Sequence, residues 1–101
     1  MRKSVSESIN KPRIGFTDLF NRQRKRAPEE IQMAFRDAQA LFLEDQFHPQ
    51  LRNHQLTGKL AGYRSINITG DWRALFKVVE SGNRETITFH KLGTHKDLYG
   101  K

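Results

Sequence analysis

An α+β fold, with an N-terminal strand and two helices packed on a three-stranded antiparallel meander, is predicted by three observations. One apolar stripe at helical spacing occupies residues 31–42. Apolar and polar residues alternate through three stretches between 60 and 91, and Thr69-Gly70 and Ser81-Gly82-Asn83 place turns between those stretches. Helices followed by a run of strands suit a layer of helices on one sheet face, with the other face open for function.

Residues 12–17, Pro-Arg-Ile-Gly-Phe-Thr, make a short strand that Pro12 and Gly15 weaken. Thr17 caps a helix over about 18–26, with Asp18 at its positive end and Leu19 and Phe20 directed inward. That helix ends in the basic run Asn21-Arg22-Gln23-Arg24-Lys25-Arg26, whose plainest reading is a solvated face. The principal core helix begins with Pro28 at its first position, followed by Glu29 and Glu30. Its stripe is Ile31, Ala34, Phe35, Ala38, Leu41 and Phe42, and it frays near Asp45, ahead of His48-Pro49.

The first meander strand, 60–68, places Ile66 and Ile68 on one face and Tyr63, Ser65 and Asn67 on the other. The second, 71–79, puts Trp72, Ala74, Phe76 and Val78 inward, opposite Asp71, Arg73, Leu75 and Lys77. In the third, 85–91, Ile87 and Phe89 alternate with Thr86, Thr88 and His90.

A chain of 101 residues fits one domain spanning 1–101, with 1–11 a frayed start that lacks the apolar stretch of a secretory signal. No apolar run is long enough for a membrane span. The absence of cysteine excludes disulfides, thiol nucleophiles and Cys-based metal sites, and suits a reducing cytoplasm. A net charge of +7 favours a polyanionic partner, although an acidic protein or plain solubility would account for the same imbalance.

Candidate chemistry gathers in the second half. RNA carries its own nucleophile, the 2′-hydroxyl, so cleavage needs a base, an acid for the departing 5′-oxygen, and cations for the phosphorane charge. Histidine serves both proton transfers near neutral pH. His54, Asp71 and His95 each adjoin a glycine-containing turn and a strand end, and Arg64 and Arg73 offer paired hydrogen bonds to phosphate. Each also has a structural reading: a surface histidine beside a turn, an aspartate completing a hairpin, Trp72 in the core, Tyr63 and Tyr99 sealing its edge. The histidines at 48, 54, 90 and 95 show no metal-ligand spacing, and the glycines form no nucleotide-binding loop, so neither metal nor cofactor is expected.

The blocks His54-Gln-Leu-Thr-Gly58, Gly62-Tyr-Arg64, Asp71-Trp72, Leu75-Phe-Lys77 and Gly93-Thr-His95-x-x-Leu-Tyr99 cover about half the chain. In their order they resemble the RelE/ParE superfamily of bacterial type II toxins, and within it the YafQ-like branch. The resemblance implies a RelE-like fold and a ribosome-dependent mRNA endonuclease held silent by a cognate, acidic, partly disordered antitoxin, with which it would form a hetero-oligomer. It implies acid–base roles for His54, Asp71 and His95, a supporting aromatic at Tyr99, and a phosphate-stabilising Arg73. Lys59, Arg64, Asn67 and Lys96 are the expected RNA contacts. Asn67 departs from the branch, which carries a histidine there, and an amide cannot exchange a proton near neutral pH. The resemblance leaves open which histidine is acid and which is base. Two rivals stand beside this reading: a ParE-like toxin that inhibits gyrase by binding alone, and an RNA-binding protein with a decayed site.

Overall fold

The computed structural model describes residues 12–100. The expected frayed start at 1–11 lies outside these residues. Strand β1 (Arg13–Phe16) leads into helices α1 (Asp18–Arg26) and α2 (Glu29–Glu44). After them come β2 (His54–Gln55), β3 (Arg64–Asn67), β4 (Trp72–Ser81), β5 (Arg84–Thr94) and the short helix α3 (His95–Tyr99).

The expected meander is present as β3-β4-β5, and it is the centre of a larger sheet with the order β1-β5-β4-β3-β2. β1 lies parallel to β5, with Ile14 beside Ile87 and Phe16 beside Phe89, while β2 pairs antiparallel with β3. Thr17 locks the β1–α1 joint. Its Oγ1 accepts from the Phe20 amide at 3.0 Å as the helix cap and donates to the His90 carbonyl at 3.1 Å. Pro28 stands one position earlier than the sequence suggested, as the cap residue of α2, because its ψ of 149° is extended.

The apolar stripe of α2 buries Ile31, Phe35, Ala38 and Phe42 against the sheet. Phe89 is the hub, with the rings of Phe16, Phe20, Phe35, Phe42 and Phe76 at centroid distances of 5.3 to 5.9 Å. Trp72 is half-buried and packs against this cluster, as its structural reading held.

Two features reshape the outer sheet face. Leu75 pairs with Lys91 but Phe76 pairs with Phe89, so β5 carries His90 as an extra residue. The bulge reverses the alternation beyond it, which turns Leu92 into the core and extends β5 to Thr94. In addition α3 lies over the end of that face, where the Leu98 side chain stands so close to buried Gly93 that a Cβ there would meet it at 3.4 Å. The outer face is therefore partly covered, and Leu75, expected among its polar residues, is fully buried there. The first meander strand is also shorter than expected, because a 3₁₀ turn at Gly58–Leu60 occupies its start.

Candidate active site

β3 and β4 run antiparallel with Asn67 opposite Arg73 and Ser65 opposite Leu75, and β2 sets His54 opposite Ser65. By strand alternation all of these face outward, away from α2. At the end of β5, Thr94 accepts from the Asp97 amide at 3.1 Å and Asp97 returns to the Thr94 amide. This reciprocal cap starts α3, with His95 as its first residue and Tyr99 one turn on.

A cavity of about 570 Å³ joins these elements, and His54, Asn67, Arg73, His95 and Tyr99 all line it. The His95 and Tyr99 rings meet edge to face at 4.4 Å, and the Tyr99 hydroxyl donates to Ser65 Oγ at 3.1 Å. Arg52 also lines the cavity, while no carboxylate does among the described lining residues. Two guanidiniums without a competing carboxylate make the hollow receptive to an anion.

His54 is held by its own loop. The 3₁₀ turn at Pro49–Leu51 ends at Arg52 in the left-handed conformation, φ 50° and ψ 46°, which a non-glycine residue adopts at some cost. The chain then reverses so that the Arg52 carbonyl lies 2.8 Å from His54 Nδ1. A carbonyl oxygen only accepts, so Nδ1 carries the hydrogen and the neutral ring keeps its lone pair on Nε2.

Arg73 has a structural duty as well: its Nη1 donates to the carbonyls of Thr69, Gly70 and Trp72 at 3.0 to 3.1 Å and so fastens the β3–β4 turn. Nε and Nη2 make no hydrogen bond among the described residues. Asp71 sits on that turn, exposed, and is not one of the cavity-lining residues. Its carbonyl accepts from the His95 amide at 2.9 Å, which ties the turn to the start of α3.

Arg64 is placed elsewhere than the sequence reading required. Strand alternation sends it to the face opposite Ser65 and Asn67, where Nε donates to Asn53 Oδ1 at 2.8 Å and the guanidinium lies 5.5 Å from the Phe47 ring centroid. Lys59 and Lys96 are exposed, each adjacent in sequence to a cavity-lining residue. Arg52, Leu56, Thr57 and Leu60 complete the lining. Sequence reasoning assigned none of them to the site, although Leu56 and Thr57 fall within the His54–Gly58 block and Arg52 lies two residues from His54.

A larger cavity, about 650 Å³, lies between α1 and α2 and contains no histidine; there Arg24 stacks 4.6 Å from the Phe16 ring centroid. Chemistry, not size, selects the outer-face site. Among the described residues no three histidine or carboxylate side chains group as metal ligands.

Residues 13–100 match the family described as a bacterial toxin of type II toxin–antitoxin system, YafQ. The chain belongs to the YafQ toxin family. Among solved structures, that of YafQ from E. coli strain BL21(DE3) has a TM-score of 0.72 at 19% identity, covering 88% of this chain and 99% of that one. YafQ in the E. coli DinJ-YafQ toxin-antitoxin complex scores 0.70 at 20% identity, covering 89% and 99%. The YoeB/ParE toxin from Agrobacterium tumefaciens scores 0.67 at 20% identity, covering 82% and 98%. No curated protein matches the chain by sequence. Such identities show the fold alone, and it is the RelE/ParE-type fold that the motif blocks implied. No helix among the described residues is long and apolar enough to cross a membrane.

Proposed function

We propose that this YafQ-family toxin is an endoribonuclease that cuts ribosome-held messenger RNA by attack of the 2′-hydroxyl on the neighbouring phosphodiester. The observation that carries the reading is one anion-receptive cavity lined by two histidines, one of them with its tautomer set by the backbone.

His54 acts as the base, since its Nε2 lone pair is available to take the 2′-hydroxyl proton. The 2′-oxygen then bonds to phosphorus, the bond from phosphorus to the 5′-oxygen breaks, and His95 in its protonated form donates to that oxygen. The products are a 2′,3′-cyclic phosphate and a 5′-hydroxyl. Arg73, through its Nε and Nη2 donors, stabilises the charge developing on the phosphorane. Asn67, across the strands from Arg73, positions the phosphate or a base by hydrogen bonding, and Tyr99 fixes the His95 ring. Asp71 is a positioning residue that acts through its carbonyl on the His95 amide. Lys59 and Lys96 flank the cavity as contacts for the RNA backbone, whereas the placement of Arg64 suits holding the loop before His54.

The charge of +7 and the E. coli relative crystallised with DinJ support a cognate acidic antitoxin for this chain, bound in a cytoplasmic hetero-oligomer. A partly disordered acidic partner gains encounter rate from opposite charge and covers a broad surface. Co-expression with the product of the adjacent reading frame should give a co-purifying complex and relieve growth arrest.

The deciding experiment adds the purified chain to ribosomes programmed with a defined message and maps the cut ends by primer extension. Cutting that leaves a cyclic phosphate is expected. Intact message together with inhibited gyrase supercoiling would replace this reading with the binding-only one.

A further inference from the structure

A second cluster on the same sheet face has no place in the chemistry above. Tyr63 continues the outward row of Ser65 and Asn67, and the Lys77 ammonium lies 4.6 Å from its ring centroid. The Lys91 ammonium stands 6.0 Å from that centroid, and the His90 ring meets Tyr63 edge to face at 5.4 Å. One lysine over one tyrosine is ordinary surface packing. Two ammoniums at one ring repel each other, and burial together with both lysines holds the His90 pKa below its usual range. The bulge in β5 brings His90 here, and bulges beside functional sites re-aim side chains in this way. An arrangement that concentrates positive charge on an aromatic ring is relieved by an anion attached to a flat group.

Arg73 and Lys77 are alternate outward residues of β4, so the cluster lies about 13 Å along the strand from the cavity. Leu75, between them, is opposite Lys91 in the ladder. Tyr63 also borders a hollow of about 320 Å³ completed by Gln55, Leu56, Gly62, Arg64 and Val78.

We infer that Tyr63, Lys77 and Lys91 form a second RNA subsite, in which Tyr63 stacks an unpaired base and the two lysines hold the adjoining phosphates. This rests on the proposed ribonuclease reading and extends it: RNA leaving the cleavage cavity passes over the covered Leu75 and reaches Tyr63. Recognition is by stacking and charge, so the subsite tolerates any base.

The test measures fluorescence anisotropy of a labelled 2′-O-methyl oligouridylate of about eight nucleotides, within the usual site size of single-strand binders. A second probe has the same backbone with every base removed. Tyr63→Ala should weaken binding of the first probe by about 5- to 150-fold and leave the second within about twofold. Tyr63→Phe, which keeps the ring, should bind both as the wild type does. Lys77→Gln with Lys91→Gln should lower the slope of log affinity against log salt by about 1.4 on both probes. Equal losses for Tyr63→Ala on both probes, or an unchanged salt slope in the folded double variant, would overturn the subsite. Ribosome cleavage by the wild-type chain separates the two readings. Cutting with no base-dependent Tyr63 effect removes the subsite alone. Base-dependent binding without cutting supports the subsite and removes the nuclease.

Discussion

The Tyr99 hydroxyl donates to the Oγ of Ser65 at 3.1 Å, and through this bond the two histidines are set on either side of one fixed point. Ser65 is fully buried and sits across the β2–β3 ladder from His54, while the Tyr99 ring abuts His95. Tyr99→Phe leaves the serine hydroxyl buried without its partner and should cost about 1–3 kcal/mol. Adding Ser65→Ala removes the orphaned group, so the double variant should recover most of the loss in a urea melt. A double variant no more stable than Tyr99→Phe would show that the bond contributes little.

Core stability should be most sensitive at Phe89. Its ring touches five other phenylalanines, so Phe89→Ala empties the centre of the cluster and should lower stability by about 3–5 kcal/mol. Denaturant unfolding reads this directly, and a loss below about 1 kcal/mol would mean the core collapses to fill the void.

The pH dependence of stability should carry a His90 component. Burial and the two lysines hold its imidazole below the ordinary value of 6.5, so the unfolded chain takes up the proton more readily than the folded one. Its contribution is complete above 6.5 and is lost as pH falls from there through the lowered folded value. Between about pH 7.5 and about pH 5.5 the Tm of His90→Gln should therefore fall less than that of the wild type. Parallel falls in both proteins would contradict the assignment.

Much of this architecture is legible in the residues, and the misses have definite physical causes. The stripe from Ile31 to Phe42 and the alternations around Ile66, Phe76 and Phe89 are long enough for period to identify each element. β2 is two residues long and β1 joins the sheet by parallel pairing with a strand some seventy positions away, which no local pattern encodes. α3 did leave a signal, because Thr94-x-x-Asp97 is a capping box, though five residues are too few to show helical period. Alternation already implied that Arg64 faces away from Ser65 and Asn67, and that geometry prevails over its attraction as a phosphate ligand. The left-handed Arg52 and the bulge at His90 depend on tertiary closure and have no sequence mark here.

Asn67→His should preserve or raise cleavage. Residue 67 lines the cavity opposite Arg73, half-buried on the outward face, so an imidazole fits without disturbing Ile66 in the core. It places a group able to exchange protons across the strands from Arg73. Primer-extension mapping of cut message reads the outcome, and a folded variant with greatly reduced cutting would assign Asn67 an amide contact that histidine cannot replace.

The central claim is that His54 and His95 work as one acid–base pair, and single-turnover cleavage of ribosome-held message by the two alanine variants and their combination tests it most directly. Each single substitution should lower the rate by about 10²- to 10⁴-fold with the melting transition retained, because both side chains are exposed. Groups that act as a unit are not additive, so the double variant should be about as slow as the slower single one. A folded His54→Ala, His95→Ala protein that cuts the message at the wild-type rate would contradict the account.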